Sequence, residues 1–406
     1  MKRPGSLAAG IVSAVVPFLL AVGGAALMSA CGSCQSTVRT APMPVIAAGT
    51  FDGAVTDPAT HRLYLADRTA KGVDVIDISP ATPRFMTTVP LSDTPAGLAL
   101  APERGRLYAA LAGGSLAVID TYTRGPHAMK VVDTVKVDGD LIDYSPRTGR
   151  LYVATGSQEV VTVDATTDKV RMRYAAKASV GQPRYDPADG LLYVTAPETN
   201  SLLRIDPATG NITQTYVVKN CHPHGLAINP ARQLAMVSCG GSVGFVNLLT
   251  GAYSVTRSVQ GGDIVTYDDA ADRFVVASSH SAVDSAVGVF SGSGEFVASV
   301  AADPKAHAAV FDAAHGVVYA PGASGLMSFA PAACAPAPDW LRFLGGLSIF
   351  AVPFAGMLAF LVWYAHRIRR HRTVVAAPSY QELQEEDLAM ERERMRALEE
   401  GILGPG

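Results

Sequence analysis

Asp52, Asp140, His224, Asp263 and His307 are the residues of this chain whose types and spacing suit them to act together. Each stands five residues ahead of a segment that recurs along the sequence. In the two remaining copies the same position holds Ala96 and Gly181. Three carboxylates brought to one axis repel one another unless a cation or a proton intervenes. Imidazole combined with carboxylate suits borderline and hard divalent ions. The five residues therefore predict a site for a divalent metal, Zn, Mn or Ca, or for a cationic ligand. The plainer expectation for the same column is a polar, water-filled opening. His222 and His280 are expected on the same side and supply the bases that metal-assisted chemistry needs.

What positions these residues is the repeat itself. Its first half reads DPATHRLYLAD (57–67), APERGRLYAAL (101–111), SPRTGRLYVAT (145–155), DPADGLLYVTA (186–196), NPARQLAMVSC (229–239), DDAADRFVVAS (268–278) and DAAHGVVYAPG (312–322). The starts lie 39 to 44 residues apart. A second short apolar run follows each, from VDVID (73–77) to LMSFA (326–330). Pro and Gly occupy the intervening turns, where fixed and positive φ are wanted. No copy holds the long amphipathic run that a parallel βαβ unit requires. Four antiparallel strands per copy fit the length. A lone four-stranded sheet cannot bury both faces, so copies must stack. Seven closing into a ring give an all-β, seven-bladed β-propeller with the column at the start of each innermost strand.

GRLYVATGSQEVVTVDATTDKV (149–170) and LLYVTAPETNSLLRIDPATGNI (191–212) resemble the YVTN family of β-propeller repeats. That resemblance implies a propeller over residues 32–330 and leaves activity open, because propellers host many functions. Copies five to seven depart from the pattern at Met236, Val275, Asn247, Phe290 and Ala330.

Two apolar segments flank the repeats. Residues 7–30 follow Lys2 and Arg3, so residues 1–31 predict a signal peptide or signal-anchor. Leu27-Met28-Ser29-Ala30-Cys31 resembles a lipobox, with Met28 at a place usually held by Leu, Val or Ile, and so marks Cys31 for lipidation. After a Pro/Ala linker (331–342), residues 343–364 carry no charge and would span roughly 33 Å as a helix. Trp340, Trp363 and Tyr364 suit the membrane interface, and the basic run His366–Arg372 should stay cytoplasmic. In the tail (365–406), Ser379 and Glu382 form a capping box for a charged helix ending near Gly401. This predicts an inner-membrane protein of the bacterial envelope with an extracytoplasmic propeller and a cytoplasmic tail.

An exported domain lies where disulfides persist. The segment before copy one lacks a blade, and copy seven lacks a fourth strand. The N-terminal segment is therefore expected to close the ring, with Cys34 bridged to Cys334. Cys221 and Cys239 flank one hairpin and form the second expected pair. Gly240-Gly241-Ser242-Val243-Gly244 matches GxSxG but lies between two strands, without the strand-turn-helix setting of a nucleophile, and reads as a hairpin turn. The net charge of −3 offers no basic surface for nucleic acid. The expected function is a membrane-tethered scaffold that binds a protein partner or small ligand on its upper face. The other reading is a metal-dependent hydrolase or lyase with its site at the channel mouth.

Overall fold

The computed structural model describes residues 38–41, 49–331 apart from 81, 260, 279–284 and 304–305, and two helical stretches, 357–367 and 380–399. Among these residues there are seven four-stranded antiparallel sheets. Six are built from consecutive strands, and the innermost strands are Phe51–Asp57, Pro95–Ala101, Ile142–Ser145, Pro183–Asp186, Leu226–Asn229 and Val265–Asp268. The seventh blade takes three strands from copy seven, beginning at Val310–Asp312, and its outermost strand, Val38–Ala41, from the N-terminal side. Val38 pairs with Phe329 and Ala41 with Leu326. The ring is thus closed by sequence-distant strands, as the missing fourth strand of copy seven required.

The second strand of each copy is the most buried, because it lies between neighbours in its own sheet and between two flanking sheets. Leu63, Leu107, Leu151, Leu192, Ala235 and Val275 are fully buried. The repeat tyrosines Tyr64, Tyr108, Tyr152 and Tyr193 are buried with them. The hydroxyls of Tyr108, Tyr152 and Tyr193 reach turns. Tyr193 donates to Asp189 at 2.6 Å, and Tyr108 lies 3.3 Å from the Ala165 carbonyl of the next blade. Met236 and Val275, which replace the tyrosine, fill the same layer by apolar contact alone. The turns are held by the repeat aspartates: Asp57, Asp164, Asp186 and Asp206 each accept a backbone N–H two residues on.

Directly below the column runs an apolar layer. Leu141, Ile264 and Ala308, each one residue past a column position, pack together with Ala54. They come from blades one, three, six and seven, so the layer reaches across the central axis and separates an upper mouth from a lower cavity.

The chain divides into two units, Gly32–Cys334 and a unit made of the two terminal segments. In the latter, residues 357–367 and Tyr380–Glu399 are helical. The second matches the helix expected after the capping box. No helix among the described residues is long and apolar enough to cross a membrane. The first part of the expected span, residues 343–356, lies outside the described residues, as do the expected signal segment 1–31, Cys31, Cys34 and Cys334. Cys221 and Cys239 are bonded. Cys239 ends the second strand of blade five, and Cys221 sits in the segment leading into the innermost strand. The string Gly240-Gly241 is a two-residue hairpin turn, with Cys239 paired to Ser242.

Candidate functional site at the channel mouth

Strand-to-strand hydrogen bonds set the height of the column. The backbone N–H one residue past a column position donates to the column carbonyl of the next blade. Gly97 reaches Asp140 O at 2.8 Å, Gln182 reaches His224 O at 3.0 Å, and Ile264 reaches His307 O at 3.3 Å. Two hydroxyls add to this pattern. Thr195 Oγ1 donates to His224 O at 2.6 Å, and Ser238 Oγ donates to Asp263 O at 2.8 Å while accepting from Gly225 N at 2.6 Å. Gly225 is required here. A Cβ at this position would stand 2.0 Å from the Asp263 carbonyl oxygen, so only glycine lets blade five approach blade six this closely.

Three column residues from consecutive blades meet. His307 Nδ1 lies 2.9 Å from Asp263 Oδ2 in a hydrogen bond. His224 Nδ1 lies 3.0 Å from Asp263 Oδ1, but off the line of a good hydrogen bond; the nitrogen is buried and has no better partner. The contact is therefore best described as an ion pair. A carboxylate can only accept, so the His307 proton sits on Nδ1 and its Nε2 is left for other work.

The remaining two do not join them. Asp52 is paired with Arg68. Asp140 has no hydrogen-bond partner for its side chain among the described residues and acts on the group at a distance. Among the described residues, no three His, Cys, Asp or Glu side chains are set to hold a metal ion. The expectation of one convergent five-residue site thus resolves into a His224–Asp263–His307 cluster, a separate Asp52–Arg68 pair and an isolated Asp140. Blade spacing and Arg68 account for the separation. Arg68 lines two neighbouring recesses of the mouth, about 680 Å³ with Asp52, Asp263 and His307 and about 230 Å³ with Asp138 and Asp140. His222 is exposed on the adjoining loop, where its N–H and that of Cys221 both donate to Asn200 Oδ1. His280 lies outside the described residues.

The charges reinforce this grouping. The Asp263 contact raises His224 above its ordinary 6.5, against the opposing effect of burial. Burial pushes the Asp263 carboxyl up, but the two histidines outweigh it and hold the group well below 3.8. Burial raises Asp140, partly offset by His224. For a raised histidine, the stabilisation is complete below 6.5 and is lost as pH rises through the folded value. For a depressed carboxyl, it is present above 3.8 and is lost as pH falls toward the folded value. Melting temperature should therefore fall as pH rises above 6.5, and His224→Gln should remove that part of the slope. The His224 side chain is 45% exposed, so the effect is small and weakens with salt. An unchanged slope in the variant would show that His224 does not carry it.

The disulfide anchors the loop that delivers His224. Cys221 and Cys239 are 1% and 2% exposed. They are 18 residues apart, so replacing both by alanine should cost about 3 kcal/mol. It should lower the melting temperature and loosen the His224 loop. A melting temperature within a degree of the parent's would refute this.

Residues 128–324 match the family described as outer membrane protein assembly factor BamB. The match covers just under half of the chain and shows a likeness to that family over this stretch. The YVTN resemblance stays with the two segments that carry it. A chain of Kuenenia stuttgartiensis hydrazine synthase shares the architecture, with a TM-score of 0.60 at 15% identity over 75% of this chain and 99% of that one. At that identity the likeness shows the fold. No curated protein matches the sequence.

Arg68, Ser238, Thr195 and Gln182 were missed by sequence reasoning. A signal for two of them was present. The tenth residue of the repeat is Ala66, Ala110, Ala154 and Ala277 in four copies, but Thr195 and Ser238 in the two that precede His224 and Asp263. A hydroxyl in an alanine column marked the bonds to those carbonyls.

Proposed function

We propose that the chain is a protein-binding scaffold of the bacterial envelope, presenting its propeller mouth to a partner and tethered through residues 343–364. The BamB-like match over residues 128–324 carries this reading, since that family is described as an assembly factor for outer membrane proteins. The mouth suits contact with a polar partner surface. It offers the exposed His222, the Arg68–Asp52 pair and the carboxylate of Asp140. Photo-crosslinkers at Arg68, Asp138 and His222 in the full chain should capture one discrete envelope protein. A crosslinker at Val217 on the outer strand of blade four should not. Equal capture from Val217, or none from the mouth, would overturn the scaffold reading.

A second reading is a metal-dependent hydrolase or lyase. Its support is Asp263, which contacts both histidines through Nδ1, the orientation a carboxylate imposes on metal-binding imidazoles. His224 and His307 would then ligate through Nε2. Protons compete for both rings, so binding would weaken as pH falls through the raised His224 value. Elemental analysis of the purified full chain should find a stoichiometric metal, and His224→Ala with His307→Ala should abolish it. A metal-free protein whose melting temperature ignores zinc, manganese and calcium rules this reading out.

A further inference from the structure

Below the apolar layer lies a second chamber, on the face opposite the mouth. Its volume is about 510 Å³, within the size range of small-molecule sites. Much of the wall is apolar and aromatic, with Leu98, Leu100, Phe311 and Tyr267 from three blades, and Arg147 and Asp268 also line it. Into this setting the inner strands of blades three and four bring an ion pair, Asp143 and Arg184. Their side chains are only 20% and 21% accessible, and that access is through the cavity.

The two partners are not equally satisfied. Asp143 Oδ2 accepts from Tyr185 N at 2.8 Å, and Oδ1 faces Arg184 Nη1 at 3.4 Å. Arg184 uses only Nη1, which also reaches Ile142 O at 3.5 Å and Pro183 O at 3.2 Å. Its Nε and Nη2 have no partner among the described residues. They form the edge of the guanidinium that grips a carboxylate through two parallel hydrogen bonds. Burial strains both charges, lowering Arg184 and raising Asp143. A buried pair gains little stability for the fold itself, so unused donors facing a cavity point to a ligand.

We propose that the lower chamber binds a small organic carboxylate, whose anionic group pairs with the Nε–Nη2 edge of Arg184 and whose apolar body lies against Leu98, Leu100 and Phe311. Asp143 acts from behind, holding the guanidinium in place through Nη1 without occupying the binding edge. The apolar layer closes the inner end, so the ligand enters and leaves by the lower face. This site is independent of the mouth and of whatever binds there.

The probe is 4-fluorobenzoate, followed by fluorine NMR with the purified full chain, with neutral 4-fluorobenzamide as its match in shape. The acid should bind with one site and a dissociation constant below about 1 mM, and the amide at least tenfold more weakly. Arg184→Lys keeps the charge but loses the fork, and should weaken the acid roughly tenfold. Arg184→Gln alone strands a buried carboxylate and risks unfolding. The pair Asp143→Asn with Arg184→Gln removes both charges together, should keep the melting transition, and should abolish binding. His224→Ala with His307→Ala should leave the affinity unchanged. The proposal is overturned if the acid does not bind, if the amide binds equally well, or if the folded double variant retains the parent affinity.

Discussion

Deleting residues 38–41 should lower the stability of the full chain by about 2–5 kcal/mol, because four ladder pairs to the strand Gly325–Phe329 are lost. The loss does not stop at hydrogen bonds. The strand it uncovers carries Leu326, Met327 and Phe329, all buried in the parent, and an open edge of that kind recruits other chains. The deletion variant should therefore melt earlier and self-associate. Adding a synthetic peptide of residues 36–43 should restore both properties. If the melting temperature is unmoved, or if the peptide has no effect, closure by this strand is not what holds the ring.

Replacing Gly225 by alanine should cost about 2–3 kcal/mol, more than any change to a mouth side chain. The new Cβ would face the Asp263 carbonyl oxygen at 2.0 Å, Ser238 Oγ at 2.8 Å and Val265 N at 3.0 Å. Two of those atoms are backbone, so blade five must move away from blade six. That motion separates His224 from Asp263, and the variant should lose the pH-dependent part of its stability together with the melting temperature. Gly240→Ala is the control, because nothing lies within 4 Å of a Cβ at that turn. Equal effects from the two substitutions would show that close approach at Gly225 is not limiting.

The propeller was legible because its signals repeat. Two short strands and a polar turn recur seven times, with a buried tyrosine in five of the copies, and each copy corrects the reading of the others. The closing strand was legible by subtraction, since copy seven was one strand short. The site was legible only as far as position. The column identified His224, Asp263 and His307, which the ring does bring into contact. It did not reveal that Asp52 turns to Arg68, because Arg68 lies in the turn just past the next strand and belongs to no column. Nor did it reveal the Asp143–Arg184 pair. Both residues lie three places past their column positions, where the copies show no common polar type.

The pairing of Val38 with Phe329 also governs how the molecule bears tension. These two residues are opposite one another at the same end of the closing ladder. The chain enters through one and leaves through the other, so its two leads emerge side by side. A force that draws the leads apart would peel the ladder one bond at a time, its weakest direction. A load shared by both leads in one direction would leave it intact. Cys34 and Cys334 are four and five residues beyond that pair, so a bond between them would lie across the point where peeling begins.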